Sequence, residues 1–186
     1  MRTALALLAA VGALGSCQTV QAPPSARLVD TREVMVARVN PAVAAIWDIT
    51  NEALGEGGAL DPALMNNVAW TRLRESAQAL EAASLAMAQA EVIRASGPNL
   101  VDGKVPEGAA SRAEIQAMID ADPAGFRAEA RDLAGRARLL VDAARARDFA
   151  AAGHRAAEIN DPCQSCHTRY WYKQDTPQPG ERRPSA

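Results

Sequence analysis

The run Cys163-Gln164-Ser165-Cys166-His167 concentrates the reactive side chains of the chain. Two thiols at i and i+3 occupy neighbouring positions on one helical face, close enough to form thioethers with the two vinyl groups of one porphyrin. The imidazole directly after the second Cys can then reach the iron as proximal ligand, a common role for His in haem proteins. This order is the attachment pattern of haem c. A redox dithiol would need only the two thiols, but it belongs with a βαβ context, and the sequence shows none. A zinc site would need four ligands, and His154 and Cys17 are the only further candidates. Covalent haem c, with its iron on His167, is the leading expectation; a dithiol or metal site is the lesser one.

A rigid helical frame must hold that motif, and the composition suits one. The 186 residues are rich in Ala, with only 4% aromatic side chains, which favours closely packed helices over sheets. The net charge of −2, with acids and bases mixed, leaves no nucleic-acid footprint. No Ser/His/Asp set, phosphate loop or clustered carboxylates point to a hydrolase or transferase. A peroxidase would want a distal base. His154 lies more than three turns before His167 on the same predicted helix and cannot reach the opposite haem face, so it is expected to face solvent. The chain reads as a carrier and not as an enzyme.

From about Thr31 to Ala53 the pattern is helical, with Val36, Val39, Val43, Ile46 and Trp47 on one stripe and a kink or restart expected at Asn40-Pro41. Asp61-Pro62 predicts the start of a long helix with Met65, Val68, Leu73, Leu80 and Met87 on its apolar face. Gly97-Pro98 ends it, and residues 97–110 read as a loop. Ser111 with Glu114 forms a predicted capping box for a short helix carrying Ile115, Met118 and Ile119. Asp122-Pro123 opens the next long helix, with Phe126, Ala130, Leu133, Ala137, Leu140 and Val141 on its stripe. Asp148 caps the last one, whose inner side is Phe149, Ala152, Ala156 and Ile159. Asn160-Asp161-Pro162 predicts a bend just before the motif, either aiming it or merely kinking the helix. Long amphipathic helices with short connections predict an all-α, antiparallel four-helix bundle with haem near the C-terminus of its last helix.

The N-terminus predicts export. Met1-Arg2 is basic, Ala4–Leu14 is apolar but too short to span a bilayer, and Leu14-Gly15-Ser16-Cys17 precedes a polar, Pro-containing run. This looks like a lipoprotein signal over residues 1–16. Cys17 would carry the lipid and residues 17–28 would link it to a haem domain over 29–174; residues 175–186 would form a flexible tail. An ordinary secretory signal or a buried N-terminal helix are the alternatives. The lipidated form would be anchored from the periplasm to the outer membrane.

Haem attachment on the last helix of such a bundle resembles the cytochrome c prime family, including its low-spin c556-type relatives. The likeness rests on Asp122-Pro123 with Phe126, on Leu133 and Leu140, on Asp148-Phe149, and on the haem motif followed by Tyr170. It is strong over 122–172 and weaker over 29–95. An ordinary small cytochrome carries this motif near its N-terminus. One position departs: Trp171 stands where family members commonly have a proximal Arg or Lys, with Arg169 and Lys173 on either side. An indole can seal the haem edge or end the core but cannot supply that charge.

The resemblance implies that the first helix supplies the residue on the other side of the iron. Arg32 is then placed to pair with a propionate. Aligning it with the family's basic residue puts Val36 over the iron and leaves an open apolar pocket for nitric oxide or another diatomic gas, buffered or sensed. A shift by one puts Met35 there, giving His/Met ligation and one-electron transfer with a periplasmic redox partner protein. The bland reading of Met35 is core filler. A third reading makes the haem chiefly structural. Family members are often dimers through their first two helices, so a homodimer is also expected; Trp47 and Trp70 suit either such a contact or the core.

Overall fold

Asp30 starts the helical part of the chain: its side chain accepts the Glu33 N–H at 3.1 Å and caps a short helix α1, Thr31–Val34. The residue order around it comes from a computed structural model that describes residues 27–97 and 104–173. The predicted signal, Cys17 and most of the linker, and the tail over 175–186 lie outside the described residues. Helix α1 runs through a π turn, Met35–Val39, into α2, Asn40–Glu52. Instead of a simple kink at Asn40-Pro41, the helix widens just before Pro41. The Asn40 N–H bonds Met35 O, five residues back. Proline offers no N–H and its ring clashes with the carbonyl four residues earlier, so the wide turn takes up the conflict.

The second long helix, α3, covers Asn67–Ala88 and not the stretch from Pro62. Asp61 makes only a local turn, accepting the Ala63 N–H at 2.8 Å. Asn66 is extended and accepts the N–H groups of both Val68 and Ala69, so the helix begins after it. Val68 consequently sits on the outer side of the first turn, 66% exposed, and leaves the apolar stripe to Trp70, Leu73, Ala77, Leu80 and Met87.

After α3 the chain forms a strand, β2 at Val92–Arg94, that pairs in parallel with β1 at Leu28–Asp30. Neither strand was expected of an all-α chain. The capping box forms as predicted: Ser111 N–H donates to Glu114 Oε2 at 2.6 Å and Glu114 N–H to Ser111 Oγ at 3.3 Å, opening α4, Arg112–Ala121. Asp122 caps α5, Pro123–Ala146, which ends at Arg147 in the left-handed region (φ 55°). Asp148 caps α6, Phe149–Glu158, and after Ile159 the chain restarts as α7, Asn160–Tyr170. The interruption falls at Ile159, just before Asn160-Asp161-Pro162, and Ile159 keeps a right-handed helical backbone (φ −62°, ψ −27°).

These helices pack as a bundle. The α3–α5 contact is the most extensive, α2 lies against α3, and α6 and α7 lie on α5. Leu73, Ala77 and Leu80 of α3 and Ala137 and Leu140 of α5 are fully buried. Trp70 is core, edge-on to Phe149 at 5.3 Å. No helix among the described residues is long and apolar enough to cross a membrane.

Candidate functional site

Helix α7 restarts after Ile159 and carries Cys163, Cys166 and His167 along the N-terminal half of α5, with Asp161 against Arg136 and Tyr170 against Phe126. Pro162 falls in the first turn of α7, where a missing N–H costs nothing. Arg136 of α5 fastens this corner, reaching Glu158 O at 3.3 Å and the Asp161 carboxylate at 3.1 Å. The far end of α7 is held by Tyr170, which is 4% exposed, donates to Asp122 O at 3.2 Å and meets Phe126 edge-on at 5.4 Å. Gly125 makes room: a Cβ there would lie 2.7 Å from the Tyr170 hydroxyl.

Two cavities adjoin along the inner side of α7. The first, about 260 Å³, lies among Met35, Val43, Trp47, Leu133, Cys163 and Cys166. The second, about 380 Å³, lies among Arg32, Val36, Ile115, Ile119, Tyr170 and Trp171. Met35, Asn40, Phe126, Cys166 and His167 line both. The predicted set is thus gathered in one place: Cys163 on the first cavity, Arg32, Val36 and Tyr170 on the second, and Met35, Cys166 and His167 between them. The combined space is of the size that holds a cofactor.

Burial dominates the titration of the motif. It pushes the Cys163 thiol up and the Cys166 thiol up to about 12, where the Glu129 charge adds to it. Burial thus works against the low-pKa thiolate that a reactive redox dithiol uses. Burial also holds the His167 imidazole below its usual value, so the ring is neutral and has a lone pair to give. Among the described residues no three His, Cys, Asp or Glu side chains gather as a metal site. A porphyrin brings its own four nitrogens, so a single imidazole suffices. Two thiols on one helical edge, a neutral imidazole beside them and an apolar double cavity fit a haem.

Trp171 lies against His167, with ring centroids 6.0 Å apart and planes at 43°. Its carbonyl accepts the Ala110 N–H at 2.8 Å, which pins it to the segment before α4. Arg169 lines neither cavity. It pairs with Asp122 and Glu129 of α5 and stacks over Tyr170. Among the lining residues that escaped the sequence reading, three polar ones stand out. Arg112 stands on the second cavity with Arg32, Glu129 on the first, and Asn40 on both. The capping box located Arg112 at the first position of α4 but gave no sign of what it faces. His154 is exposed, as expected, beside Gly58.

Residues 73–171 match the family model described as cytochrome C'. No curated protein and no solved structure matches the chain.

Proposed function

Because the chain belongs to the cytochrome c' family, we propose that it is a c-type cytochrome of the cell envelope that passes single electrons through one covalently held haem. Family members are typically carriers of electrons or gases and not enzymes. The observation that carries the proposal is the meeting of two apolar cavities at Cys166 and His167, with Met35 on both. In this reading Cys163 and Cys166 hold the porphyrin and His167 is the proximal ligand. Met35 would offer its thioether to the iron, and the haem would supply the one-electron couple. The thioether favours the reduced iron. Arg32 and Arg112, from two separate elements, neutralise the propionates, and Tyr170 and Trp171 close the edge of the pocket. The α1–α2 run, α3, α5 and α6–α7 serve as the four antiparallel arms of the bundle.

The second reading, reversible binding of nitric oxide or another diatomic gas, is favoured by the apolar wall that Val36, Ile115 and Ile119 give the second cavity. Spectra of the exported, matured protein separate the two. Low-spin ferric and ferrous bands unchanged by carbon monoxide support electron transfer; high-spin bands that shift on adding the gas support the open pocket. A product with the mass of bare polypeptide removes both. The periplasmic setting and the outer-membrane lipid anchor on Cys17 belong to the same proposal, with a redox partner protein as the electron donor or acceptor. Incorporation of labelled fatty acid that is lost in Cys17→Ser tests the anchor.

A further inference from the structure

We infer that Glu129 holds the midpoint potential of the haem low, by presenting a largely buried carboxylate to the first cavity. The inference rests on the haem reading above, and it stands whichever of the two functions the iron serves. Helix α5 turns Phe126, Glu129, Ala130 and Leu133 toward that cavity, the spacing of one helical stripe. Three of the four are apolar, as a wall against a porphyrin would be. Among the described residues Glu129 is the one acidic or basic side chain besides the neutral His167 on the first cavity, and it is 16% exposed. Its charge reaches the Cys166 sulfur, whose thiol it helps to push up. A carboxylate in such a place costs free energy to bury, and that cost calls for a use.

Fastening α7 to α5 does not require it. Arg169 of α7 meets Glu129 at 3.6 Å, but Asp122, seven residues earlier and on the same face of α5, also pairs with it. Tyr170 ties the same turn of α7 to Asp122 O. Two carboxylates thus share one guanidinium, and the trio keeps an excess of negative charge. The Arg169 side chain lines neither cavity and is 51% exposed, so water screens it. The Glu129 carboxylate lies among apolar side chains, where a charge acts through a lower dielectric. A negative charge there stabilises ferric iron over ferrous iron, which carries one positive charge less, and so lowers the potential. Arg32 and Arg112 stand on the second cavity and pull the other way.

Four variants of the full, exported and matured chain test this, read by mass, by urea denaturation and by spectroelectrochemical midpoint potential. Glu129→Gln keeps the volume and removes the charge. Its potential is expected to rise by about 59 mV, a tenfold gain in the ferrous to ferric ratio at a fixed poise. Glu129→Asp keeps the charge and is expected to stay near the wild type. Arg169→Gln strips the counter-ion and is expected to move the potential down. Asp132→Asn removes an acid of α5 that is 53% exposed and lines neither cavity, and is expected to leave the potential where it was. Opposite signs for Glu129→Gln and Arg169→Gln are what a mere fastening role would not give, since losing either end of a strut loosens the same helix. With haem present, an unchanged or lowered potential in Glu129→Gln overturns the inference, as does an equal rise in Asp132→Asn. Should Glu129→Gln fail to fold, Arg169→Gln decides: a fall supports the inference and any other result overturns it. Absence of covalent haem by mass would instead refute the underlying haem reading, and with it this one.

Discussion

Tyr170 does at the end of α7 what the Cys163 to His167 run cannot do: it ties that helix to the start of α5. Its hydroxyl gives Asp122 O a partly buried hydrogen bond of 3.2 Å, and burial pushes its pKa up to about 12. Tyr170→Phe keeps the edge contact with Phe126 and removes only that bond. The expected cost is about 1 kcal/mol in urea denaturation. Arg112 is the residue-scale addition to the proposed site. A cation near propionates favours the more negative, reduced haem, so Arg112→Gln should lower the midpoint potential, on the order of tens of millivolts, by spectroelectrochemistry. An unchanged potential would remove Arg112 from the proposed propionate pair.

At the scale of elements, the α4 capping box gives a pH dependence whose sign follows from its bonds. The Ser111 hydroxyl and N–H hold the Glu114 carboxyl below its ordinary value of 4.5. A folded pKa that is depressed adds stability above the ordinary value, and that stability is lost as pH falls through the folded pKa. Glu114→Gln preserves an acceptor for the Ser111 N–H but not the charge. Its denaturation midpoint should fall less steeply than the wild type's between about pH 5 and pH 3. The box was legible because its two residues are close in sequence and each serves the other. Helices α5 and α6 were legible for the same reason, each announced by an Asp cap. Asp61-Pro62 carries the same signal as Asp122-Pro123 yet starts only a turn, because Asn66, further along, captures two N–H groups and takes over the cap. Strands β1 and β2 are three residues each and show no alternation long enough to read. The π turn was visible only as a proline. Its actual effect, one extra residue in the turn before Pro41, depends on which face the core accepts.

For the whole molecule, the decisive contact is α3 on α5, and small residues set how near those helices come. Ala77 and Ala137 are both fully buried there. Ala137→Leu should force the pair apart and cost about 1–3 kcal/mol by thermal or chemical denaturation, and because α7 rests on α5 the same change should disturb the haem spectrum. The Cys163 to His167 run stood out in the sequence because covalent haem attachment would demand a fixed order. Arg112, Glu129 and Asn40 did not, since they reach the cavities only through packing of distant segments. The parallel pairing of Leu28–Asp30 with Val92–Arg94 also has a mechanical meaning. A pull on the chain from its N-terminal side enters the described domain through Arg27. The three paired rungs carry that load into the segment after α3 before it can reach the helix bearing Arg32 and Met35. They act as strain relief on a cable, taking up a pull before it reaches the pocket.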